Sequence, residues 1–140
     1  MNDRGILVYV STDALLIPSD SPDHVLDVGI SDYAKPFMHW CSSNYRTYLI
    51  TDMPVAHAKY LLNKLELREN AVIIKFCGTL KTDCIEPSRN TFLIDDALVP
   101  GEVSWFLEHG LQDQLIGVDP HTGVSPATRQ TLEARTRHGK

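Results

Sequence analysis

Five short apolar runs punctuate the chain, and most of them stop at oxygen-bearing side chains. Residues 6–10 (ILVYV) stop at Ser11, Thr12 and Asp13, and residues 47–50 (TYLI) stop at Thr51 and Asp52. Residues 71–76 (AVIIKF) break at Gly78, residues 91–94 (TFLI) stop at Asp95 and Asp96, and residues 115–118 (LIGV) stop at Asp119 and Pro120. The runs do not alternate, which is the pattern of strands covered on both faces in a parallel sheet. Helical spacing fills the gaps between them. Residues 32–43 carry Tyr33, Phe37, Trp40 and Cys41 at that spacing. Pro54 suits a first helical turn with Asp52 as cap, and the helix then presents Ala58, Leu61, Leu62 and Leu65. Pro100 opens a third helix with Val103, Phe106 and Leu107 inward, closed by Gly110. Ser125 and Pro126 start a polar last helix through about residue 137, with residues 135–140 a flexible, frayed tail.

Strands alternating with helices of about a dozen residues make βαβ units, and right-handed crossovers align the strands. The pattern predicts an α/β fold, a three-layer α/β/α Rossmann-like arrangement around a central parallel sheet of about five strands. Residues 17–31 break the rhythm with Pro18, Ser19, Asp20, Ser21, Pro22 and Asp23. They predict a flap or loop insert with one short hairpin arm near residues 25–28.

Length and charge narrow the picture. With 140 residues there is room for one domain, residues 1–140, and none for a second core. A net charge of -5 argues against a protein that coats nucleic acid, because phosphate binding needs an excess of Lys and Arg. No apolar run approaches the ~20 residues that span a bilayer. The opening MNDRG also lacks the order of a signal peptide, so a cytoplasmic protein without a membrane anchor is expected. Cys41, Cys77 and Cys84 form no C-x-x-C pair and read as three reduced thiols. The six histidines lack ligand spacing, and Trp40 and Trp105 read as packing residues.

The candidate chemistry lies at the strand ends. In an open parallel sheet, ligands bind outside the carboxyl ends of the strands where strand order reverses. If the first strand is central, Asp13, Asp95 and Asp96 face one small volume. Like charges that close require a cation or hydrogen-bond donors, and hard oxygen ligands suit Mg²⁺. Acidic and hydroxyl residues at strand ends also cap turns commonly, which is the competing reading.

In this setting the chain resembles the haloacid dehalogenase (HAD) superfamily over roughly residues 5–120. ILVYV followed by Ser11, Thr12, Asp13, Ala14 and Leu15 is similar to motif I, an apolar strand followed by D-x-D-G-T/V-L. YLI with Thr51 is similar to motif II, and FLI with Asp95 and Asp96 to motif IV. Lys81 in GTLKTD is the best match to the motif III lysine, with Lys75 second. The stretch IGVDPHTGVSP is also similar to small HAD domains associated with RNA-repair proteins. The resemblance implies a capless HAD fold with an open site. It implies Thr51 and Lys81 at a phosphate, and Asp95, Asp96 and the backbone carbonyl of Asp13 at Mg²⁺. It further implies Asp13 as general acid and base.

The departure from motif I changes the expected function. Ser11 stands where the family has the nucleophilic aspartate. A hydroxyl needs an adjacent base to attack at neutral pH, whereas a carboxylate is already ionised. Ser11 also brings no charge to a cation, so Mg²⁺ binding is expected to be weak or absent. The expectation is a degenerate HAD-like domain that binds a phosphate-bearing ligand, such as a nucleic-acid end, or a protein partner. The alternatives are a Mg²⁺-dependent phosphatase of atypical mechanism, in which Asp13 assists Ser11, and a purely structural interaction protein.

Overall fold

The computed structural model describes residues 3–18, 25–26, 28–68, 70–78, 81–96 and 100–138. In chain order its elements are β1 (Asp3–Ser11), β2 (Leu16–Ile17), β3 (Gly29–Ile30), α1 (Ala34–Asn44), β4 (Tyr45–Thr51) and α2 (Val55–Lys64). They continue with β5 (Ile73–Phe76), β6 (Thr91–Asp95), α3 (Pro100–Glu108), β7 (Leu115–Gly117) and α4 (Pro126–His138). All five apolar runs become strands of one parallel sheet in the order β5-β4-β1-β6-β7. The expected α/β fold with a five-stranded central sheet is therefore present. β1 is central, and strand order reverses beside it. From β1 the chain steps through β4 to β5 on one side, then crosses to β6 and β7 on the other.

Alternate residues of each strand feed two separate cores, which explains why the runs are continuously apolar. Val8, Val10, Leu49 and Ile94 pack with Phe37, Met38 and Cys41 of α1, Leu61 and Leu62 of α2, and Leu132 of α4. Tyr9, Tyr48, Ile50 and Leu93 face the other way and pack with Phe106 of α3, Leu111 and Ile85. Tyr9 and Tyr48 stack at 4.4 Å between ring centroids, with the Lys75 ammonium over both rings. Each such fully buried large side chain contributes about 1.5–3 kcal/mol. Among the described residues, no helix is long and apolar enough to cross a membrane.

The structure corrects several local expectations. The hairpin arm is Gly29–Ile30, paired antiparallel with Leu16–Ile17 rather than lying at residues 25–28. Residues 19–24 and 27 of the expected flap lie outside the described residues. Pro54 is itself the N-cap of α2, in place of the expected Asp52. In α3, Val103 and Leu107 point outward, while Glu102 and Phe106, one turn apart, are buried. Residues 135–138 belong to α4 rather than to a frayed tail, and the Arg135 guanidinium holds the carbonyls of Asp113 and Leu115 at 2.7 and 3.1 Å. Residues 139 and 140 lie outside the described residues.

The thiols also differ from expectation. Cys77 and Cys84 are joined in a disulfide, and of the three only Cys41 is free. Their Cα atoms lie 6.0 Å apart, within bridging range. Cys41 is buried in the core, and burial pushes its thiol well above its ordinary pKa.

Candidate functional site

The parallel register aligns the carboxyl ends of β1, β4 and β6. Ser11, the last residue of β1, lies opposite Ile50, and Val10 lies opposite Ile94, so Ser11, Thr51 and Asp95 end neighbouring strands. Of the strand-end groups, these three close on one another along with Thr12, Asp13 and Asp96. Carboxylate oxygens of Asp13, Asp95 and Asp96 all lie within 4.8 Å of one another. Asp119, by contrast, accepts the backbone N–H of His121 at 2.8 Å in its own turn and stays exposed. For that residue the capping reading is the correct one.

Ser11 is fully buried, and its Oγ accepts the backbone N–H of Asp13 at 3.2 Å. The hydroxyl thereby caps a single 3-10 turn over Thr12–Ala14. The Asp13 carboxylate turns away to Lys81 Nζ, 3.2 Å distant. Asp13 thus holds Ser11 through its backbone and commits its carboxylate elsewhere. Thr12 donates its hydroxyl to Thr51 Oγ1 at 3.2 Å, and Thr51 Oγ1 also accepts the Met53 N–H at 2.9 Å. Both bonds use lone pairs of Thr51 oxygen, which leaves its own proton to donate.

Lys81 reaches the site from the 3-10 turn Lys81–Cys84 and contacts both oxygens of Asp95 at 3.0 Å. Burial lowers its pKa, but the bonds and charges of Asp95 and Asp13 outweigh burial and raise it, so the lysine is a fixed cation. Lys75, the second choice for this role, instead donates to the Cys84 carbonyl at 3.3 Å. Asp95 is fully buried and also accepts the Asp96 N–H at 2.8 Å. Asp96 Oδ1 is buried without a hydrogen-bond partner among the described residues. Burial, and then the nearby Asp13 and Asp95 charges, push the Asp96 carboxyl up to about 6.

A fourth carboxyl group, Glu102 in the first turn of α3, was not foreseen. It is 3% exposed and hydrogen-bonds Asp95, while its Oε2 has no partner among the described residues. Burial, and then the bond to Asp95, push its pKa to about 8. At neutral pH it is a neutral acid donating to the Asp95 carboxylate. The signal was present in the spacing. Glu102 lies four residues before Phe106, so if Phe106 faces the sheet, Glu102 does too.

A second unforeseen feature braces the site from outside. Residues 119–124 fold over the Thr12–Ala14 turn, where the Val124 N–H donates to the Ala14 carbonyl at 2.9 Å. Ser31 donates to the carbonyls of Thr122 and Val124 at 2.8 and 3.1 Å, and its own N–H holds the Leu15 carbonyl at 2.8 Å. Gly123 sits in this contact at φ +66, where a side chain would strike the Ala14 carbonyl.

Among the described residues the site therefore gathers four acidic side chains, Asp13, Asp95, Asp96 and Glu102, around the single ammonium of Lys81. No family profile matches the chain, and no curated protein is significantly similar to it.

Proposed function

We propose that this chain is a degenerate HAD-like domain that has lost aspartyl-phosphate chemistry and acts by binding a phosphate-bearing ligand together with Mg²⁺. The observation that carries the reading is Ser11. It occupies the end of the central strand, where the resemblance calls for a nucleophilic carboxylate, and its oxygen caps the turn of Asp13. The groups expected around it, Thr51, Lys81, Asp95 and Asp96, are gathered at that strand end. A serine there has no adjacent free base, because the Asp13 carboxylate is paired with Lys81.

Electrostatics favour a cation with the phosphate. The acids outnumber Lys81, so a bare phosphate dianion would meet net repulsion. The raised pKa of Asp96 and its buried Oδ1, which has no partner among the described residues, both suit a positive partner. Asp13, Asp95 and Asp96 would hold Mg²⁺ through oxygen, the ligand type that ion prefers. The bound ion would supply charge neutralisation for the phosphate, and the Thr51 hydroxyl and Lys81 would orient it. Without a carboxylate at position 11, affinity for the metal alone should be low and should rise when phosphate is present.

Calorimetric titration of the chain with Mg²⁺, with inorganic phosphate, and with both together tests this. Binding of phosphate only in the presence of Mg²⁺, lost in Asp95→Asn, is expected. No heat under any of the three conditions would overturn the reading and favour a structural role for the acids. The runner-up, a Mg²⁺-dependent phosphatase of atypical mechanism, requires turnover by the native chain that Asp13→Asn removes.

A further inference from the structure

We propose that Cys77 and Cys84 form a thiol–disulfide exchange site whose closure locks Lys81 onto Asp13 and Asp95. The two cysteines are seven residues apart and bracket the segment that carries Lys81. Both ends of the bridge are anchored to neighbouring strands of the sheet. The Cys77 N–H donates to the backbone carbonyl of Thr51 at 2.9 Å, which fixes one end to the tip of β4. Cys84 ends the short turn that begins at Lys81, and its carbonyl accepts Lys75 Nζ at 3.3 Å. With the sulfur–sulfur bond made, the turn cannot swing from the sheet, and Lys81 Nζ stays 3.0 Å from Asp95 and 3.2 Å from Asp13.

Two further features suit exchange rather than a purely structural staple. Cys77 and Cys84 are partly exposed, whereas Cys41 is fully buried, so a small thiol or disulfide can reach only the bracketing pair. The ring closed by the bridge is short, and short rings restrict the unfolded chain least. The effect of the bond is therefore concentrated on its own segment, which is the segment holding Lys81.

The chemistry balances with a small disulfide such as oxidised glutathione as the oxidant. One protein thiolate attacks a sulfur of the small disulfide, forming a mixed disulfide and releasing one small thiolate. The second protein thiolate then attacks the protein sulfur of that mixed bond and releases the other. The two protein thiols lose two protons and two electrons in total, and the small disulfide becomes two thiols. Reduction runs the same steps backward and frees the turn. Asp13 and Asp95 then lose their held cation. Any consequence for phosphate and Mg²⁺ binding rests on the function proposed above; the bridge and its hold on Lys81 do not.

The test equilibrates the full chain in mixtures of reduced and oxidised glutathione at neutral pH, followed by a pulse of an amine-acylating ester and mass spectrometry by residue. Cys77 and Cys84 are expected to oxidise together while Cys41 stays a thiol. Acylation of Lys81 should rise on the order of fivefold on reduction, as local opening exposes a lysine otherwise 23% exposed. Lys35 and Lys59 should not change. The double variant Cys77→Ser/Cys84→Ser should show the fast Lys81 reaction in every mixture. Thiols that never oxidise, equal Lys81 reactivity in both states, or a parallel rise at Lys35 and Lys59 would each overturn the proposal. A parallel titration of the oxidised form with Mg²⁺ and inorganic phosphate separates the two ideas, because its silence would remove the ligand and leave the redox result standing.

Discussion

Gly123 and Gly110 share a backbone conformation and differ in surroundings, which makes them a matched pair for measuring how firmly residues 119–124 brace the site. Gly110 has φ +68 and Gly123 has φ +66. Substitution by alanine therefore costs each about 1–2 kcal/mol for a left-handed residue bearing a Cβ. At Gly110 a Cβ meets nothing within 4 Å, so that conformational cost is the whole effect. At Gly123 it would lie 2.8 Å from the Ala14 carbonyl oxygen, 2.9 Å from Ser31 Cβ and 3.2 Å from Ser31 Oγ. The first of these is backbone and cannot rotate away. Relief requires lifting the loop from Ala14, which strains the Val124 and Ser31 hydrogen bonds at about 1 kcal/mol each. Gly123→Ala should thus cost about 3–4 kcal/mol against about 1–2 for Gly110→Ala. In a domain of this size the difference corresponds to a midpoint lower by about 5–8 °C. Urea unfolding of both variants at one pH supplies the comparison. Equal losses in the two variants would refute the reasoning, because they would show that the loop does not press on the Thr12–Ala14 turn.

Other perturbations probe the charges and a helix end. Glu102 holds its proton to about 8 in the folded chain against an ordinary 4.5, so the folded state binds the extra proton between those values. Its contribution to stability is full below about 4.5 and is lost as pH rises through about 8, at about 1.4 kcal/mol per unit. Glu102→Gln should flatten that decline in chemical denaturation followed across pH without divalent metal; an unchanged slope would contradict it. Lys81→Met removes a cation from buried Asp95 and should destabilise by about 3 kcal/mol, read by the same denaturation. Glu66 ends α2 with φ 54, where the Leu67 N–H reaches the Leu62 carbonyl at 3.0 Å. Glu66→Gly should therefore stabilise by about 0.5–1 kcal/mol despite the lost surface pair with Lys35, visible as a raised thermal midpoint.

The sheet was legible because each strand is built on a short, mostly apolar run that stops at polar or turn-forming residues, and helical segments between most of the runs favour parallel pairing. Val8 and Tyr9 feed opposite cores, which is why no alternation was visible. The gathering of Ser11, Asp13, Thr51, Asp95 and Asp96 followed from the central place of β1, a matter of topology alone. What the sequence hid depends on contacts between distant segments. Ser31 is 91 and 93 residues from the carbonyls it holds, and no local pattern announces such a partner. The Cys77–Cys84 bridge depends on where the 3-10 turn Lys81–Cys84 sits relative to Cys77, which spacing does not specify. Glu66 takes the left-handed position usually given to glycine, so the end of α2 carried no signal. In α3 the apolar residues Val103 and Leu107 suggested the wrong inner face, while the packing of Phe106 took Glu102 inward. The covered ends of the sheet override local hydrophobic preference there.

The most direct measurement is hydrolysis of an aryl phosphate in Mg²⁺ by the native chain and by Ser11→Asp. On the proposed reading, a carboxylate at the end of β1 would supply the nucleophile that Ser11 lacks. The native chain should release no phosphate above the rate without protein, and the variant should turn over measurably. Turnover by the native chain that disappears in Asp13→Asn would contradict the proposal of a silenced site.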